Sequence, residues 1–168
     1  MPLWLIGMMA SGKTSVAQML AIRTDSPFLD TDQLIEAETG LSVAEVFADE
    51  GEAGFRRRES AAVTAAASVI GAVVATGGGA VLDPGNVAKM TSSGPVVWLQ
   101  ARPEALVARI ADPSSRPLLK GGTTEKELAD LLSERRHAYE AAADHVVSTD
   151  DATLEEVVLL VEEIWTAS

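Results

Sequence analysis

The chain has 168 residues, 47% hydrophobic and 23% charged, a composition typical of a globular protein with one sizeable core. Its formal net charge of −12 argues against nucleic acid or an acidic membrane as a partner, because both attract basic surfaces. The absence of cysteine excludes disulfides and thiolate metal sites, and no apolar run is long enough to cross a membrane. We therefore expect a single cytoplasmic domain over residues 1–168.

Apolar runs alternate with helical patterns along the chain, which indicates an α/β sheet covered by helices on both faces. The predicted strands are short and apolar: Leu3–Ile6, Pro27–Leu29, Ala72–Ala75, Val96–Leu99 and His145–Val147. The predicted helices lie between and after these strands: Lys13–Arg23, Asp32–Glu38, Val43–Glu50, Ala53–Val69, Pro84–Met90, Pro103–Ile110, Glu125–Ala143 and Thr153–Trp165. Residues 111–125 are rich in Pro, Gly, Ser and Thr, which favours either a plain connection or a binding loop.

The first predicted strand leads into G-M-M-A-S-G-K-T, from Gly7 to Thr14, which fits the phosphate-loop pattern G-x-x-x-x-G-K-[ST]. The backbone N–H groups that would surround nucleotide phosphates belong to Ala10, Ser11, Gly12, Lys13, Thr14 and Ser15. Lys13 would reach the β- and γ-phosphates, and the Thr14 hydroxyl would ligate Mg²⁺. The loop therefore predicts a nucleotide site at the end of the first strand.

Two carboxylates follow in F-L-D-T-D, at the end of the second predicted strand. Strand alternation places Asp30 and Asp32 on the same side, at the edge where open α/β sheets bind ligands. One carboxylate would hold the water shell of the metal, and the other would orient an acceptor hydroxyl and take its proton. The alternative is that Asp32 only caps the following helix.

Charged residues and glycines mark a second binding region. Arg56 and Glu59 are three residues apart on a predicted helix, so one face can carry an Arg–Glu pair, although such charge runs usually lie on solvated faces. An arginine fork suits a carboxylate ligand. The strand before T-G-G-G-A-V ends in three glycines, Gly77, Gly78 and Gly79, which remove every Cβ where a ligand would touch the backbone.

Two further arginines are candidates for contacts with anions. Arg116 lies in S-S-R-P-L-L, within the irregular segment, where it would swing onto the transferring phosphate and stabilise its developing charge. Arg135 lies in R-R-H-A-Y on a late helix and would supply a second contact for an acidic acceptor.

Taken together, these segments resemble the shikimate kinase family of phosphate-loop kinases. The motifs appear in family order from Leu3 to about Asp144: G-x4-G-K-T, L-D-T-D, F-R-R-R-E, T-G-G-G-A-V, R-P-L-L and R-R-H-A-Y. The resemblance implies transfer of the γ-phosphoryl group of ATP, with Mg²⁺, to the 3-hydroxyl of shikimate by a monomer. It also implies a three-layer αβα fold with a five-stranded parallel sheet of order 2-3-1-4-5, a helical substrate-binding region at about residues 32–60 and a lid at about residues 111–123.

The resemblance assigns roles to individual residues. Shikimate would contact Asp32, Arg56, Gly77, Gly78, Gly79, Arg135, Phe47 and Phe55, with Glu59 holding Arg56 in place. The nucleotide would contact the phosphate loop, Arg109 at the adenine and Arg116 in the lid. The metal would be served by Thr14 and, through water, by Asp30. The catalytic residues would be Asp32 as the base, Lys13 and Arg116.

Two positions depart from the family pattern. Ala10 replaces the middle glycine of the usual loop, and alanine is tolerated there at negative φ, so we predict negative φ for Ala10. Asp150 and Asp151 stand where some family members place an arginine near the adenine, so a backbone or apolar contact would take its place. A kinase acting on gluconate and a nucleotide-binding regulator without kinase activity are the alternative functions.

Overall fold

The computed structural model describes residues 1–111 and 124–168. Five strands form one parallel sheet: β1 (Leu3–Ile6), β2 (Phe28–Asp30), β3 (Val73–Ala75), β4 (Val96–Gln100) and β5 (His145–Ser148). Their order is β2-β3-β1-β4-β5, which confirms the predicted topology. Residues 112–123 of the predicted lid at about 111–123, including Arg116, lie outside the described residues, so the lid stays a prediction.

Seven helices surround the sheet in the part of the chain that the structure describes. They are α1 (Lys13–Thr24), α2 (Thr31–Thr39), α3 (Val43–Ala67), α4 (Pro84–Ser93), α5 (Pro103–Ala111), α6 (Glu125–Ala142) and α7 (Leu154–Ala167). A short 3-10 turn at Ala80–Leu82, absent from the prediction, follows the three glycines. Within the described ranges, no helix is long and apolar enough to cross a membrane.

The core lies on both faces of the sheet because the side chains of the central strand alternate. Leu3 and Leu5 pack with α1 and α7 on one face, whereas Trp4 and Ile6 pack against the helices of the other face. All four residues of β1 are buried, as expected for a parallel strand covered on both sides. This packing fixes the carboxyl end of β1, where the phosphate loop begins.

The predicted helices Val43–Glu50 and Ala53–Val69 form one element with a bend. Gly51 has φ 70° and ψ −178° inside α3, so the backbone leaves helical geometry for one residue and then resumes it. Ser42 and Glu45 form a capping box at the start of α3, which fixes that end of the element. The prediction of two helices with an interruption between Glu50 and Ala53 is therefore confirmed, because α3 consists of two helical segments that meet at Gly51.

Candidate active site

The phosphate loop wraps around the amino group of Lys13. Gly7 and Gly12 have φ values of 142° and 95°, a region that favours glycine, and Gly12 is the N-cap of α1. The buried Lys13 Nζ donates hydrogen bonds to the Gly7 carbonyl at 2.9 Å and to the Met8 carbonyl at 2.7 Å. The loop thus brings a cation to the N-terminus of a helix, which is a favourable position for phosphate groups.

Ala10 has φ 61°, so the prediction of a negative φ was wrong. The turn of the phosphate loop toward α1 places residue 10 in the left-handed backbone conformation. Alanine adopts this conformation there although its Cβ disfavours it. The Ala10 carbonyl accepts a hydrogen bond of 3.2 Å from Arg109 Nη1, which holds the peptide in this orientation. Ala10 therefore places backbone strain in the nucleotide site.

Replacement of Ala10 by glycine is expected to raise the free energy of unfolding by about 0.5 to 1 kcal/mol. The left-handed conformation costs alanine about 1–2 kcal/mol, and the more flexible unfolded chain of the glycine variant offsets part of this gain. Urea unfolding measures the difference. Asp25→Gly is the control, because Asp25 has φ 51° far from the loop but is a residue type that tolerates it, so its gain should be smaller. An Ala10→Gly variant no more stable than the parent would contradict strain at this position.

Asp30 joins the phosphate loop to the start of α2. Its Oδ2 accepts a hydrogen bond from Thr14 Oγ1 at 2.8 Å, and its Oδ1 accepts from the backbone N–H groups of Asp32 and Gln33. Asp30 is therefore the N-cap of α2, and the alternative that Asp32 serves only as this cap is wrong. Asp30 and Asp32 do not share one side of a strand as predicted, because β2 ends at Asp30 and Asp32 lies in the first turn of α2.

Gly77 allows two carboxylates to approach the strand end. Its N–H donates to Thr31 Oγ1 at 2.9 Å, which fixes the peptide. A Cβ at this position would lie 2.7 Å from Glu59 Oε1 and 2.9 Å from Asp32 Oδ1, so a side chain would displace both groups. The glycine therefore brings Asp32 and Glu59 to one point beside the carboxyl end of β3.

The next two glycines contact two arginines. A Cβ at Gly79 would lie 2.5 Å from Arg56 Nη1, and one at Gly78 would lie 3.4 Å from Arg135 Nη1. The same position at Gly78 is 3.5 Å from the carbonyl oxygen of Gly7 in the phosphate loop. Residues separated widely in the sequence thus form one candidate acceptor pocket beside the phosphate loop, with two arginines next to the carboxylates of Asp32 and Glu59.

A buried carboxylate holds Arg56. Arg56 Nη1 lies 2.7 Å from Glu59 Oε2, and Glu59 is only 1% exposed. Burial raises the pKa of Glu59 above its usual value, and the adjacent Arg56 guanidinium offsets only part of this rise. Within the described residues, Glu59 Oε1 has no hydrogen-bond partner, so this buried oxygen can accept a hydrogen bond from a ligand or water. Glu59 thus fixes the Arg56 guanidinium beside Gly79, while its own Oε1 lies beside Gly77.

Two aromatic rings form the apolar wall of this pocket. Phe47 and Phe55 stack with ring centroids 4.3 Å apart, and the Arg56 guanidinium carbon lies 5.5 Å from the Phe55 centroid. Phe55 is buried, whereas Phe47 is 37% exposed at the rim. This places Phe55 next to Arg56 and Phe47 against Phe55.

Tyr139 is a contact residue of this region that the sequence reasoning missed. Its hydroxyl donates a 2.6 Å hydrogen bond to the Gly78 carbonyl, and its ring stacks on Trp98 at 5.4 Å between centroids. Burial raises the pKa of Tyr139 to about 12. Its position four residues after Arg135 on α6 was the available signal, because such residues share a helix face.

Tyr139→Phe is expected to lower the free energy of unfolding at neutral pH by about 1 kcal/mol, because it leaves the Gly78 carbonyl without this donor. The folded state keeps the Tyr139 proton up to a pKa of about 12, whereas the unfolded chain releases it near 10, so this group makes stability fall as pH rises between these values. Urea unfolding at neutral and alkaline pH tests both effects. If Tyr139→Phe loses as much free energy of unfolding between pH 10 and 12 as the parent protein does, Tyr139 is not the group responsible for this pH dependence.

A separate cavity of about 240 Å³ lies beside the phosphate loop. It is lined by Ser11, Gly12, Ser15, Val16, Arg109, Thr149, Ala152, Leu154 and Val157. Arg109 Nη2 donates to the Thr149 carbonyl at 2.6 Å, which joins this cavity to the segment after β5. Asp150 instead accepts hydrogen bonds from the Arg102 backbone and side chain. The cavity lining that follows Asp150 and Asp151 in the sequence is apolar and consists of Ala152, Leu154 and Val157.

The fold and site define a class of protein. A phosphate loop after the central strand, a cavity beside it and an adjoining pocket with two arginines are the arrangement of a phosphate-loop kinase for a small anionic acceptor. The family model described as shikimate kinase matches residues 9–165, and the chain belongs to this family. It is therefore an ATP-dependent small-molecule kinase.

Relatives and solved structures agree with this membership. A shikimate kinase from Symbiobacterium thermophilum is 45% identical over 161 residues, 95% of this chain and 92% of that protein. One from Moorella thermoacetica is 48% identical over 146 residues, 87% of this chain and 83% of that protein. The structure of shikimate kinase from Acinetobacter baumannii in complex with shikimate has a TM-score of 0.89 and 32% identity, covering 99% of this chain and 93% of that one. A gluconokinase from Sinorhizobium meliloti, at 17% identity and a TM-score of 0.62, shares the fold alone.

Proposed function

We propose that the protein transfers the γ-phosphoryl group of MgATP to the 3-hydroxyl of shikimate, giving shikimate 3-phosphate and ADP in the synthesis of chorismate and aromatic amino acids. The observation that carries the proposal is the proximity of Gly78 to both the Gly7 carbonyl and Arg135. An acceptor bound against this glycine lies beside the phosphate loop, so its hydroxyl and the γ-phosphate are close. A relative's structure in complex with shikimate supports the same acceptor.

Shikimate offers a carboxylate and three ring hydroxyls, and the pocket has groups for both. Arg56 and Arg135 would bind the carboxylate, because guanidinium groups form strong paired hydrogen bonds with carboxylates. Asp32 would accept a hydrogen bond from the reacting hydroxyl and orient its oxygen toward the phosphorus. Little proton abstraction is needed when the transition state is loose, so orientation is the main contribution of Asp32.

The nucleotide would bind across the phosphate loop and the cavity beside it. The backbone N–H groups of residues 10–15 and Lys13 would hold the β- and γ-phosphates, and Arg109 would lie against the adenine. Arg116, which lies outside the described residues, would approach the transferring phosphate from the lid. These roles place positive charge around the phosphates, where the transition state spreads its negative charge.

Thr14 and Asp30 fit a Mg²⁺ site. Their oxygens are 2.8 Å apart, and Mg²⁺ prefers hard oxygen ligands, few of them from protein, together with waters and substrate phosphates. The described residues contain no group of three or more His, Asp or Glu side chains arranged to hold a metal, which suits this sparse mode of binding. The metal would neutralise charge on the phosphates, while Thr14 and Asp30 position it through the hydroxyl and through water.

We propose further that the protein acts in the cytoplasm as a monomer, without nucleic acid or membrane partners. The net charge of −12 supports the part of this proposal that concerns partners, because it opposes binding to nucleic acid and to anionic membranes.

A coupled assay for ADP release from MgATP tests the function. Shikimate is expected to stimulate ADP release at least a hundredfold over the rate without acceptor, while gluconate has no effect. Stimulation by gluconate alone would replace this proposal by the gluconate kinase alternative. ATP binding without stimulation by either acceptor would favour the regulator.

A further inference from the structure

Arg58 connects two helices that the mechanism above does not join. Its Nε and Nη2 donate to the Glu50 carboxylate at distances from 2.6 to 3.0 Å, and its Nη1 donates to Glu38 Oε1 at 3.2 Å. Glu38 belongs to α2, Glu50 to α3 before the bend at Gly51, and Arg58 to α3 after it. One guanidinium group thus binds three segments of the helical region.

The contact between Arg58 and Glu50 depends on the bend. Residues eight apart in a straight helix are about 12 Å apart along the axis, much farther than the neighbouring pairs three or four residues apart. Gly51, with φ 70°, turns the chain so that Glu50 folds back toward the following turns. A Cβ at Gly54 would lie 2.4 Å from Glu50 Cβ, so only glycine permits this approach.

The bend separates the two walls of the acceptor pocket. Phe47 lies before Gly51, while Phe55, Arg56 and Glu59 lie after it. Helix α2, which carries Asp32, packs through Ile35 on the apolar cluster that contains Phe55. The angle at Gly51 therefore sets the separation between the Phe47 side and the Arg56 side of the pocket.

Arg58 and Glu50 form a charged pair that remains ionised. The Arg58 hydrogen bonds lower the pKa of Glu50, and the Glu50 hydrogen bonds raise the pKa of Arg58. The Arg58 side chain is 30% exposed and the Glu50 side chain 26%, so solvent weakens the pair but does not replace its paired geometry.

We propose that Arg58 is a positioning residue that fixes the bend at Gly51 through Glu50 and Glu38 and thereby sets the affinity for shikimate without touching it. The inference rests on the proposed function, because the affected quantity is acceptor affinity. It assigns a task to the third arginine of the F-R-R-R-E motif that differs from the direct contact expected of Arg56.

Steady-state kinetics of Arg58→Ala test the proposal. The KM for shikimate is expected to rise about five- to tenfold, while kcat stays within about twofold and the KM for ATP is unchanged. Arg57→Ala is the matched control, because it removes the same charge from the next, exposed residue and should leave the KM for shikimate unchanged. Equal KM values for shikimate in Arg58→Ala and Arg57→Ala would overturn the proposal. An equal rise of the KM for shikimate and the KM for ATP in Arg58→Ala would also overturn it.

Two further variants separate positioning from general stability. Arg58→Lys keeps the charge but loses the planar fork, so it is expected to recover part of the shikimate affinity, and no recovery would overturn the proposal. Glu50→Gln should also raise the KM for shikimate, and the double variant with Arg58→Ala should be no worse than Arg58→Ala alone. Fully additive effects would show that the two residues act independently and would also overturn it.

Failure of the proposed function gives a different result. If the parent protein releases no ADP in response to shikimate, the proposed function fails, and so does the effect of Arg58 on that affinity. Urea unfolding of the parent, Arg58→Ala, Glu50→Gln and the double variant then measures whether Arg58 and Glu50 stabilise the fold together. Coupling between Arg58 and Glu50 in the unfolding data would keep the bend-fixing role, and its absence would remove that role as well.

Discussion

Asp32→Asn is expected to lower kcat for shikimate phosphorylation by about a hundredfold through lost orientation of the acceptor hydroxyl, with little change in the KM for ATP. Asp32 Oδ1 lies beside Gly77, at the point where Glu59 also approaches. Asparagine keeps the size of the side chain but replaces one acceptor oxygen by a donor group, so it cannot orient the hydroxyl in the same way. The loss should therefore appear in the chemical step.

Coupled kinetics with varied shikimate and ATP measure this effect. Asp49→Asn is the control, because it makes the same chemical change at an exposed position of α3 and should leave both kcat and KM near the parent values. If kcat of Asp32→Asn lies within about tenfold of the parent value, the proposed contact between Asp32 and the reacting hydroxyl is contradicted. Urea unfolding of the variant checks that the change is not a loss of folded protein.

Arg56→Ala is expected to raise the KM for shikimate by about tenfold to 150-fold. A hydrogen bond to a charged group contributes about 1.5–3 kcal/mol, and the variant removes the guanidinium that adjoins Gly79. The KM for ATP should stay unchanged, because the Arg56 contacts lie on the acceptor side. Arg57→Ala provides the control for loss of a single positive charge.

The same substitution should also reduce stability. It leaves the Glu59 carboxylate, which is 1% exposed, without its ion-pair partner, and a lone buried charge costs several kcal/mol unless it takes up a proton. Adding Glu59→Gln to Arg56→Ala should restore much of the stability but not the affinity for shikimate. Recovery of both properties, or a normal KM in Arg56→Ala alone, would contradict the assigned contact with the acceptor.

The sheet could be predicted because its strands are short, continuous apolar runs followed by glycines or helix caps. The burial of every residue in β1 and β3 is the physical cause of this pattern. No strand bound differs from the predicted one by more than one residue. The bend in α3 was also visible in part, because Gly51 interrupts two helical patterns.

The errors in the site arise from constraints that distant residues or element ends impose. Ala10 is held at positive φ by the closure of the loop, with its carbonyl bound by Arg109, 99 residues further along the chain. The alternation argument for Asp32 failed because a helix begins directly after Asp30, and the two-residue period ends there. Neither constraint can be obtained from residue spacing alone.

Tyr139 and Arg58 were missed for a related reason. The Tyr139 partner, Gly78, is 61 residues away in the sequence, and the Arg58 partner Glu50 is brought close only by the bend. The sequence motifs predict residues that would touch the substrate, whereas Tyr139 and Arg58 bind other residues of the protein. Their contacts emerge only from the folded arrangement.

Identification of the reaction product by phosphorus and proton NMR tests the central claim most directly. With MgATP and shikimate, the proposed function predicts one new phosphate ester, coupled to the proton on carbon 3 of the ring, formed in equal amount with ADP. An ester at another hydroxyl would contradict the proposed orientation by Asp32. Release of inorganic phosphate alone, with shikimate unchanged, would contradict the transfer itself.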